Sequence, residues 1–501
     1  MKIRSLIINS DDEVIFKIIH EILTLFKIEV LDENRSQNEM LVDYKTISIE
    51  NNIVCSTSLE VTTSVMLSLE DGRTKKIVKQ KNARVGERIP SETRRLIKLN
   101  LYDIFMDLTN AKSVPWGILH GVRPTKIVHK YIDKGIPMNE IITRLKNDYY
   151  VSEKKAELIS HLAVKQRMFL YNNRKEKISI YVGIPFCLSK CLYCSFPSYV
   201  LPKNEILQQF LAALKKDILA AKNIIVKNNL KVENIYIGGG TPTSLPLSEF
   251  TYLIQLVKNS FFDTTTVEFT VEAGRPDSVD DDKIKVMMEN GVNRVSVNPQ
   301  TMQEKTLKHI GRKHTTQDII DLFAKFRCAG MKNINMDVII GLPGENVEDV
   351  EDTMRKIIAL KPDNITIHAL ALKKGSALKN TKNIYELPND EMTAKMFDVA
   401  MHYAEKLDME PYYLYRQGYM SGNLENIGYS KKGSEGFYNI QIMEERQTIL
   451  GIGPAATTKI VNSDNWSIET SFNAKDLTTY LQRVENYIEK RTNLVNDAFN
   501  E

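Results

Sequence analysis

From residue 177 onward, short runs rich in β-branched residues alternate with segments of helical periodicity, and this alternation limits the possible folds more than any other feature. The six strand candidates are residues 177–183, 233–239, 266–272, 293–300, 333–341 and 363–371. The segments between them carry apolar residues at helical spacing, for example Ile206, Phe210 and Leu214. Because each helix returns the chain to the start of the next strand, the alternation predicts a parallel sheet. The fold class is therefore α/β, either a partial barrel or a doubly wound sheet.

The strand candidates also alternate internally between apolar and polar residues. Val267, Phe269 and Val271 form one face of the run 266–272, and Glu268 and Glu272 lie on the other. The runs 177–183, 293–300 and 333–341 follow the same pattern. Parallel strands covered by helices on both faces read as continuous apolar runs. One polar face therefore indicates a sheet that encloses a polar lumen, as an open barrel around a ligand requires.

The length of 501 residues suggests about three domains at roughly 150 residues each. We expect an N-terminal α+β domain, a helical connector, a barrel and a mixed C-terminal domain that caps the barrel mouth. Their predicted bounds are 1–110, 111–176, 177–375 and 376–501. In the first domain, patterns predict a strand at Lys2–Ile8, a helix at Glu13–Leu25 and a hairpin turn at Asp71-Gly72. A further helix is predicted to open at Ser91.

Composition excludes several classes of protein. No apolar run approaches the roughly 18 residues of a membrane span, and the N-terminus lacks the apolar region of a signal peptide. A net charge of +4 without a dominant basic stripe predicts no nucleic acid partner. The chain has five cysteines, and an odd count without a secretion signal favours a reducing compartment. We therefore expect a cytoplasmic protein without a disulfide framework.

Cys187, Cys191 and Cys194 fall within eight residues, directly after the first barrel strand. Thiolates at this spacing select zinc or an iron–sulfur cluster. Structural zinc takes a closed shell of four ligands, whereas a [4Fe-4S] cluster held by three cysteines keeps one iron for another ligand. Three cysteines therefore fit a [4Fe-4S] cluster better than a structural zinc ion. A zinc site completed by a distant residue, or buried thiols without metal, remains as an alternative.

This loop resembles that of the radical S-adenosylmethionine (SAM) superfamily, in which SAM chelates the fourth iron of the cluster. The surrounding sequence, YVGIPFC followed by two further cysteines and by the GGGTPT turn at 238–243, is similar to the oxygen-independent coproporphyrinogen III oxidase group. The resemblance covers about residues 177–375. It implies a partial (β/α)6 radical SAM barrel with two cofactors, a [4Fe-4S] cluster and SAM.

The resemblance also implies roles for individual residues. Cys187, Cys191 and Cys194 would ligate the cluster. Glu272 would accept a hydrogen bond from the SAM ammonium, Gln300 and Asp337 would bind the ribose hydroxyls, and Arg312 the methionine carboxylate. The remaining SAM-binding candidates belong to the glycine turn, are aromatic, or match a position beside the adenine. They are Tyr181, Tyr193, Gly239, Gly240, Thr241 and Ala371.

Three branches of the group are distinguishable by sequence. The established oxidases carry a fourth cysteine where this chain has Phe196, and the haem-transfer chaperones carry a His-Asn-x-x-Tyr-Trp motif that does not occur here. The third branch, the HemZ-like coproporphyrinogen dehydrogenases, has an added N-terminal domain. Its two marker segments resemble Trp116–Lys126 and Pro411–Tyr429 of this chain.

The resemblance to this branch implies oxidative decarboxylation of coproporphyrinogen III to protoporphyrinogen IX in haem biosynthesis. The expected partners are a tetrapyrrole substrate, an electron donor and an electron acceptor. A haem-binding transfer chaperone, or a radical SAM enzyme acting on another tetrapyrrole, is the alternative. Arg416, beside Tyr412, Tyr413, Tyr415 and Tyr419, is a candidate for part of the substrate surface. Cys55 and Cys328 are predicted to be buried thiols, and His368 to be a hydrogen-bonded strand histidine.

Overall fold

The computed structural model describes residues 1–31, 42–84, 89–111, 114–119, 121, 123–170, 174–373, 375–380, 386–417 and 423–499. The chain divides into two compact units, Met1–Ser160 and His161–Glu501. Each unit contains its own β-sheet. In the described part of the chain, no helix combines the length and the apolar character that a bilayer crossing demands.

The first unit is built on a five-stranded sheet in the order β2-β1-β3-β4-β5. Its strands are β1 (Lys2–Asn9), β2 (Glu29–Val30), β3 (Tyr44–Cys55), β4 (Ser58–Ser68) and β5 (Thr74–Arg84). Its helices are α1 (Glu13–Leu25), α2 (Ile89–Thr109), α3 (Thr125–Asp133), α4 (Met138–Tyr149) and the start of α5 (Glu153–Leu170). The apolar faces of α1 and α2 form one core with β1, β3 and β4.

The local predictions for this unit agree closely with the structure. Helix α1 has the predicted bounds, and the turn at Asp71-Gly72 joins the antiparallel strands β4 and β5. Helix α2 begins at Ile89, two residues before the predicted start at Ser91. Pro90 lies in its first turn, where the missing N–H of proline removes no helical hydrogen bond, so the helix extends through it.

The second unit contains an eleven-stranded sheet in the order β14-β15-β13-β12-β11-β10-β9-β6-β16-β17-β18. The six predicted strands are β6 (Lys177–Ile184), β9 (Lys231–Gly239), β10 (Glu268–Glu272), β11 (Arg294–Ser296), β12 (Asn333–Ile340) and β13 (Asn364–Ala369). All neighbours among these six pair in parallel. The two short strands β7 (Phe186–Cys187) and β8 (Tyr199–Val200) pair only with each other.

Helices connect the parallel strands. They are α6 (Asn204–Lys227), α7 (Leu247–Phe261), α8 (Asp281–Glu289), α9 (Glu304–His309), α10 (Thr316–Cys328) and α11 (Val347–Leu360). Capping boxes open α10 at Thr315 and α11 at Asn346. The buried face of α6 differs from the prediction by one position, because Leu207 is buried and Ile206 is 45% exposed.

The chain after the barrel adds strands to both edges of the same sheet. Its elements are α12 (Ala377–Asn380), α13 (Asp390–Glu405), β14 (Glu410–Tyr415), β15 (Asn426–Ser430), α14 (Phe437–Glu444), β16 (Thr448–Ile452), β17 (Thr457–Val461), β18 (Ile468–Phe472) and α15 (Leu477–Phe499). Strand β15 pairs antiparallel with β13, and β16 pairs in parallel with β6. The prediction of a capping domain did not anticipate these pairings, which satisfy the backbone groups that the barrel edges leave open.

Candidate active site

The three clustered cysteines lie at the carboxyl end of the parallel sheet. Cys187 ends β7, and Cys191 and Cys194 follow in the loop that leads to β8. All three line a single cavity, in which Cys191 is buried and the other two are half-buried. Backbone hydrogen bonds fix Leu192 of the loop, whose N–H donates to Ile310 O at 3.0 Å and whose carbonyl accepts from Leu378 N at 2.9 Å. The position matches the rule that open α/β sheets bind ligands at the carboxyl ends of their strands.

The cavity collects most of the residues that the sequence singled out. Nine of the candidates line it: Cys187, Cys191, Tyr193, Cys194, Gly240, Thr241, Glu272, Gln300 and Arg312. They come from the ends of β7 and β10 and from the loops that follow β7, β9, β11 and α9. Among the described residues, no three His, Cys, Asp or Glu side chains are gathered as the ligands of a single metal ion.

Three buried polar atoms in the cavity wall have no protein partner. They are Asn298 Oδ1, Gln300 Oε1 and Arg312 Nε. Buried polar atoms are almost always hydrogen-bonded, because an unmade bond costs about 1–3 kcal/mol. Two acceptors and one cationic donor without partners therefore indicate that the cavity is shaped for a polar ligand.

Gln300 has a left-handed backbone conformation, with φ at +66°. Its N–H donates to Asp337 O at 3.0 Å and its carbonyl accepts from Ile339 N at 2.9 Å, so two bonds to β12 hold it there. This conformation is costly for a residue other than glycine and is found where a site requires it. The strain places an amide side chain in the cavity wall.

The Arg312 guanidinium is fixed by two contacts. Its Nη1 donates to Gly274 O at 3.1 Å and its Nη2 donates to Tyr193 Oη at 2.9 Å. Both Tyr193 and Arg312 line the cavity, and Arg312 is buried. A cation held in a buried cavity wall is suited to a carboxylate ligand.

The glycine turn after β9 packs closely on the protein's own backbone. Gly239 has φ at +114°, and a Cβ on Gly240 would lie 2.5 Å from the Phe186 carbonyl oxygen. A Cβ on Gly238 would lie 2.8 Å from the Glu272 carboxylate. The glycines thus let this turn approach the strand before Cys187 and the carboxylate of Glu272. Thr241, next in the chain, donates its hydroxyl to Cys187 Sγ at 3.5 Å.

Glu272 is oriented by two donors. Tyr236 Oη donates to its Oε1 at 2.7 Å, and Gly239 N–H donates to its Oε2 at 3.1 Å. Burial raises the pKa of Glu272 to about 7, although these two hydrogen bonds act in the opposite direction. A carboxylate destabilised by burial gains most from a cationic ligand.

Four candidates lie outside the cavity lining. Gly239 faces the backbone of Ile184, and Ala371 is half-buried beyond the end of β13. Tyr181 stacks with Tyr236, their ring centroids lying 6.1 Å apart, on the polar face of the sheet. Asp337 belongs to a separate polar group on that face, described next.

Asp337 accepts from Asn335 Nδ2 at 2.6 Å and lies 3.7 Å from His368 Nε2. The other ring nitrogen of His368 lies 3.3 Å from Tyr415 Oη. Although burial opposes the shift, the hydrogen bonds from His368, Asn335 and Thr366 lower the pKa of Asp337. His368 is therefore hydrogen-bonded in its strand, as predicted, and it joins Asp337 to Tyr415.

Sequence reasoning missed several residues of the cavity wall. Arg275, Ser189 and Asn298 all line it, together with the exposed Lys190 at its rim. Asn298 lies on the polar face of its strand segment, so the alternation of polar and apolar residues could have identified it. Arg275 lies in the loop after β10, where polar and apolar residues do not alternate, so no sequence pattern could have identified it.

Other predictions are wrong. Arg416 is buried and donates to Asn423 Oδ1 at 2.6 Å and Asn423 O at 3.2 Å, so its guanidinium is already bonded within the protein. Cys55 and Cys328 are exposed. Tyr419, a further member of the predicted substrate surface, lies outside the described residues.

Comparison with known proteins agrees with this site. The family model described as the radical SAM superfamily matches residues 181–357. The oxygen-independent coproporphyrinogen-III oxidase-like protein HemZ of Bacillus subtilis (strain 168) is 37% identical over 415 residues, which cover 81% of this chain and 83% of HemZ. The heme chaperone HemW of the same organism is 29% identical over 282 residues, 56% of this chain and 70% of HemW.

Among solved structures, the coproporphyrinogen III oxidase HemN of Escherichia coli is similar with a TM-score of 0.53 and 20% identity. The alignment covers 65% of this chain and 72% of HemN. This likeness confirms the predicted radical SAM fold. The chain therefore belongs to the radical SAM superfamily and, within it, to the family of oxygen-independent coproporphyrinogen III oxidase-like proteins. A protein of this superfamily uses a [4Fe-4S] cluster and SAM, the two cofactors that the cysteine loop predicts.

Proposed function

We propose that the protein catalyses the oxygen-independent oxidative decarboxylation of coproporphyrinogen III to protoporphyrinogen IX. In this reaction each of two propionates loses CO2, one hydrogen atom and one further electron, and becomes a vinyl group. The observation that carries the proposal is the convergence of three cysteines, a buried arginine and unpartnered amide oxygens on one cavity at the carboxyl end of the sheet. The similarity to HemZ supports the choice of substrate.

The cavity residues fit both cofactors. Cys187, Cys191 and Cys194 would each donate one thiolate to the cluster. Arg312 would bind the methionine carboxylate of SAM, and its unpartnered Nε offers a further donor. Glu272 would accept from the SAM ammonium. These assignments use the polar atoms that the protein itself leaves unsatisfied or destabilised.

Held by these residues, the [4Fe-4S] cluster and SAM would supply radical chemistry for the removal of a substrate hydrogen. The task of the chain is to bind, orient and exclude water. Arg312 and Glu272 in the cavity wall serve the first two, since hydrogen bonds to Gly274 and from Tyr236 fix their side chains before any ligand arrives.

The polar face of the sheet continues beyond the cavity as an aromatic wall. Tyr181, Tyr236 and Tyr438 stack with interplanar angles of 17–22°. These rings pack on one another, and Tyr438 is buried, so they form a rigid wall. The exposed Lys190 at the cavity rim offers a cation to a propionate.

An anaerobic assay with coproporphyrinogen III, SAM and a chemical reductant tests the proposal. The expected products are protoporphyrinogen IX, CO2 and 5′-deoxyadenosine. Formation of 5′-deoxyadenosine without decarboxylation would refute the substrate and leave the radical chemistry intact. Mass spectrometry of the tetrapyrrole separates this reaction from that of a radical SAM enzyme acting on another tetrapyrrole.

The similarity to HemW makes haem transfer the second candidate. The sequence argues against it, because the His-Asn-x-x-Tyr-Trp motif of the haem-transfer chaperones does not occur in this chain. Haem titration of the anaerobic protein distinguishes the two functions. Tight stoichiometric binding without turnover of coproporphyrinogen III would favour the chaperone.

Replacement of Asp337 by asparagine is expected to leave the cluster intact and to weaken SAM binding by about tenfold, since one charge-assisted hydrogen bond to the ribose is worth about 1.5–3 kcal/mol. Calorimetric titration with SAM provides the measurement, and iron content provides the control. An unchanged affinity would show that Asp337 does not bind SAM and acts only in its group with His368.

The raised pKa of Glu272 predicts pH-dependent SAM binding. The ionised carboxylate is the form that attracts an ammonium group, and it becomes dominant only as pH rises through about 7. Affinity for SAM is therefore expected to increase about tenfold from pH 6 to pH 8 and then to level off. Glu272→Gln serves as the control, since any dependence that persists in this variant comes from SAM itself.

A further inference from the structure

Arg275 lies in the loop after β10 and reaches across to the cysteine loop. Only 4% of the residue is exposed. Its Nη1 donates to Ser189 O at 2.8 Å and its Nη2 donates to Ser189 Oγ at 2.8 Å. The same Nη1 lies 3.8 Å from Cys191 Sγ. One guanidinium therefore binds the cysteine loop at two successive points, with a cation directed at one of its sulfurs.

A single carboxylate balances this cation. Asp277 Oδ1 accepts from Arg275 Nε at 3.1 Å, and Asp277 Oδ2 accepts from Arg275 Nη2 at 2.8 Å. The pair fixes the plane of the guanidinium, and Asp277 itself is half-buried. Arg275 and Asp277 thus place a pair of opposite charges near Cys191, and Arg312 adds a second cation there. Neither member of the pair is a proposed cluster ligand.

Hydrogen bonds to the sulfurs and nearby charge set the reduction potential of an iron–sulfur cluster. Reduction adds one negative charge, and a cation bonded to a ligand sulfur stabilises the reduced form more than the oxidised form. Since the guanidinium is almost fully buried, water screens this effect less than at a surface.

We propose that Arg275 is a positioning residue that raises the reduction potential of the cluster through its bond to the Cys191 thiolate, and that Asp277 moderates this effect. The inference rests on the assignment of Cys191 as a cluster ligand and is independent of the tetrapyrrole substrate. It predicts that substitutions of Arg275 and Asp277 shift the reduction potential in opposite directions. A purely structural role of this ion pair predicts no such opposition.

The test is a redox titration of the reconstituted cluster without SAM, followed by electron paramagnetic resonance. At the potential where the unmodified cluster is half reduced, Arg275→Gln is expected to lower the ratio of reduced to oxidised cluster at least tenfold. This corresponds to a shift of about 59 mV for one electron. Asp277→Asn is expected to raise the same ratio, and Arg275→Lys, which keeps the charge, to fall between Arg275→Gln and the unmodified protein.

Arg327→Gln is the matched control, since Arg327 forms a different arginine–aspartate pair, with Asp363 at 2.5 Å, and is expected to leave the potential unchanged. An unchanged potential in Arg275→Gln, or shifts of the same sign in Arg275→Gln and Asp277→Asn, would overturn the proposal. If Arg275→Gln fails to retain iron, Asp277→Asn decides: a raised ratio supports the proposal, and an unchanged or lowered ratio overturns it. Retention of the cluster by Cys191→Ala would instead overturn the ligand assignment.

Discussion

Replacement of Cys191 by alanine is expected to abolish cluster binding and, with it, all cleavage of SAM. In the proposed site each of the three thiolates would bind a different iron, so two thiolates would leave the cluster with an unligated iron besides the one kept for SAM. The change deletes only one sulfur from a loop that backbone bonds at Leu192 also hold, and we therefore expect the protein to remain folded. Iron and sulfide content after anaerobic reconstitution, absorbance near ~400 nm, and 5′-deoxyadenosine formation are the measurements.

Cys328→Ala is the matched control for this experiment. Cys328 ends α10, is exposed and does not line the cysteine cavity. Its removal is expected to change neither the iron content nor the formation of 5′-deoxyadenosine. A Cys191→Ala variant that still held four irons would refute the three-cysteine assignment, and stoichiometric zinc in the unmodified protein would refute the cluster itself.

Replacement of Arg491 by methionine is expected to destabilise the second unit by about 3–5 kcal/mol, because it leaves a buried carboxylate without its cation. Arg491 is 1% exposed, and its Nη2 lies 2.5 Å from Oδ1 of the fully buried Asp217. Asp217 also accepts from Tyr480 Oη at 2.8 Å and from Gly453 N–H at 2.9 Å. This network attaches α15 to α6 and to the end of β16.

The midpoint of urea unfolding, followed by circular dichroism on the cluster-free protein, gives the measurement. Lys216→Met is the matched control, since Lys216 and Glu485 join the same two helices at 2.8 Å but are mostly exposed. An exposed pair contributes at most about 1 kcal/mol. Equal destabilisation by the two substitutions would show that burial of the Asp217–Arg491 pair does not increase its contribution to the free energy of unfolding.

The parallel core of the fold could be predicted from the sequence. The alternation of polar and apolar residues in a strand and the apolar periodicity of a helix are both visible among neighbouring residues. All six barrel strands lie where β-branched runs occur. The pairings of β15 and β16 with the barrel could not be predicted in the same way. Their partners β13 and β6 are distant in the chain, and no local pattern specifies such a pairing.

The candidate site was predictable to the extent that its residues belong to a short motif or a strand parity. Their spacing was the signal that identified Cys187, Cys191 and Cys194. Glu272 and Gln300 were identified by their position on the polar face of a predicted strand. The alternation of polar and apolar residues gives the face on which a residue lies but not its depth along the strand. It therefore could not show that Asp337 lies beside His368 and outside the cavity lining. Single residues without a pattern, such as Cys328 and Arg416, were assigned by residue type, and the structure contradicts both assignments.

The parallel pairing of β16 with β6 has a consequence for biogenesis. On a translating ribosome, β6 emerges early in the second unit, yet one of its two neighbours is supplied only by Thr448–Ile452. Until then the strand keeps an open edge, which is prone to pairing with other chains. The barrel therefore completes its sheet only after Thr448–Ile452 has been synthesised, although all six of its own strands precede that segment in the chain.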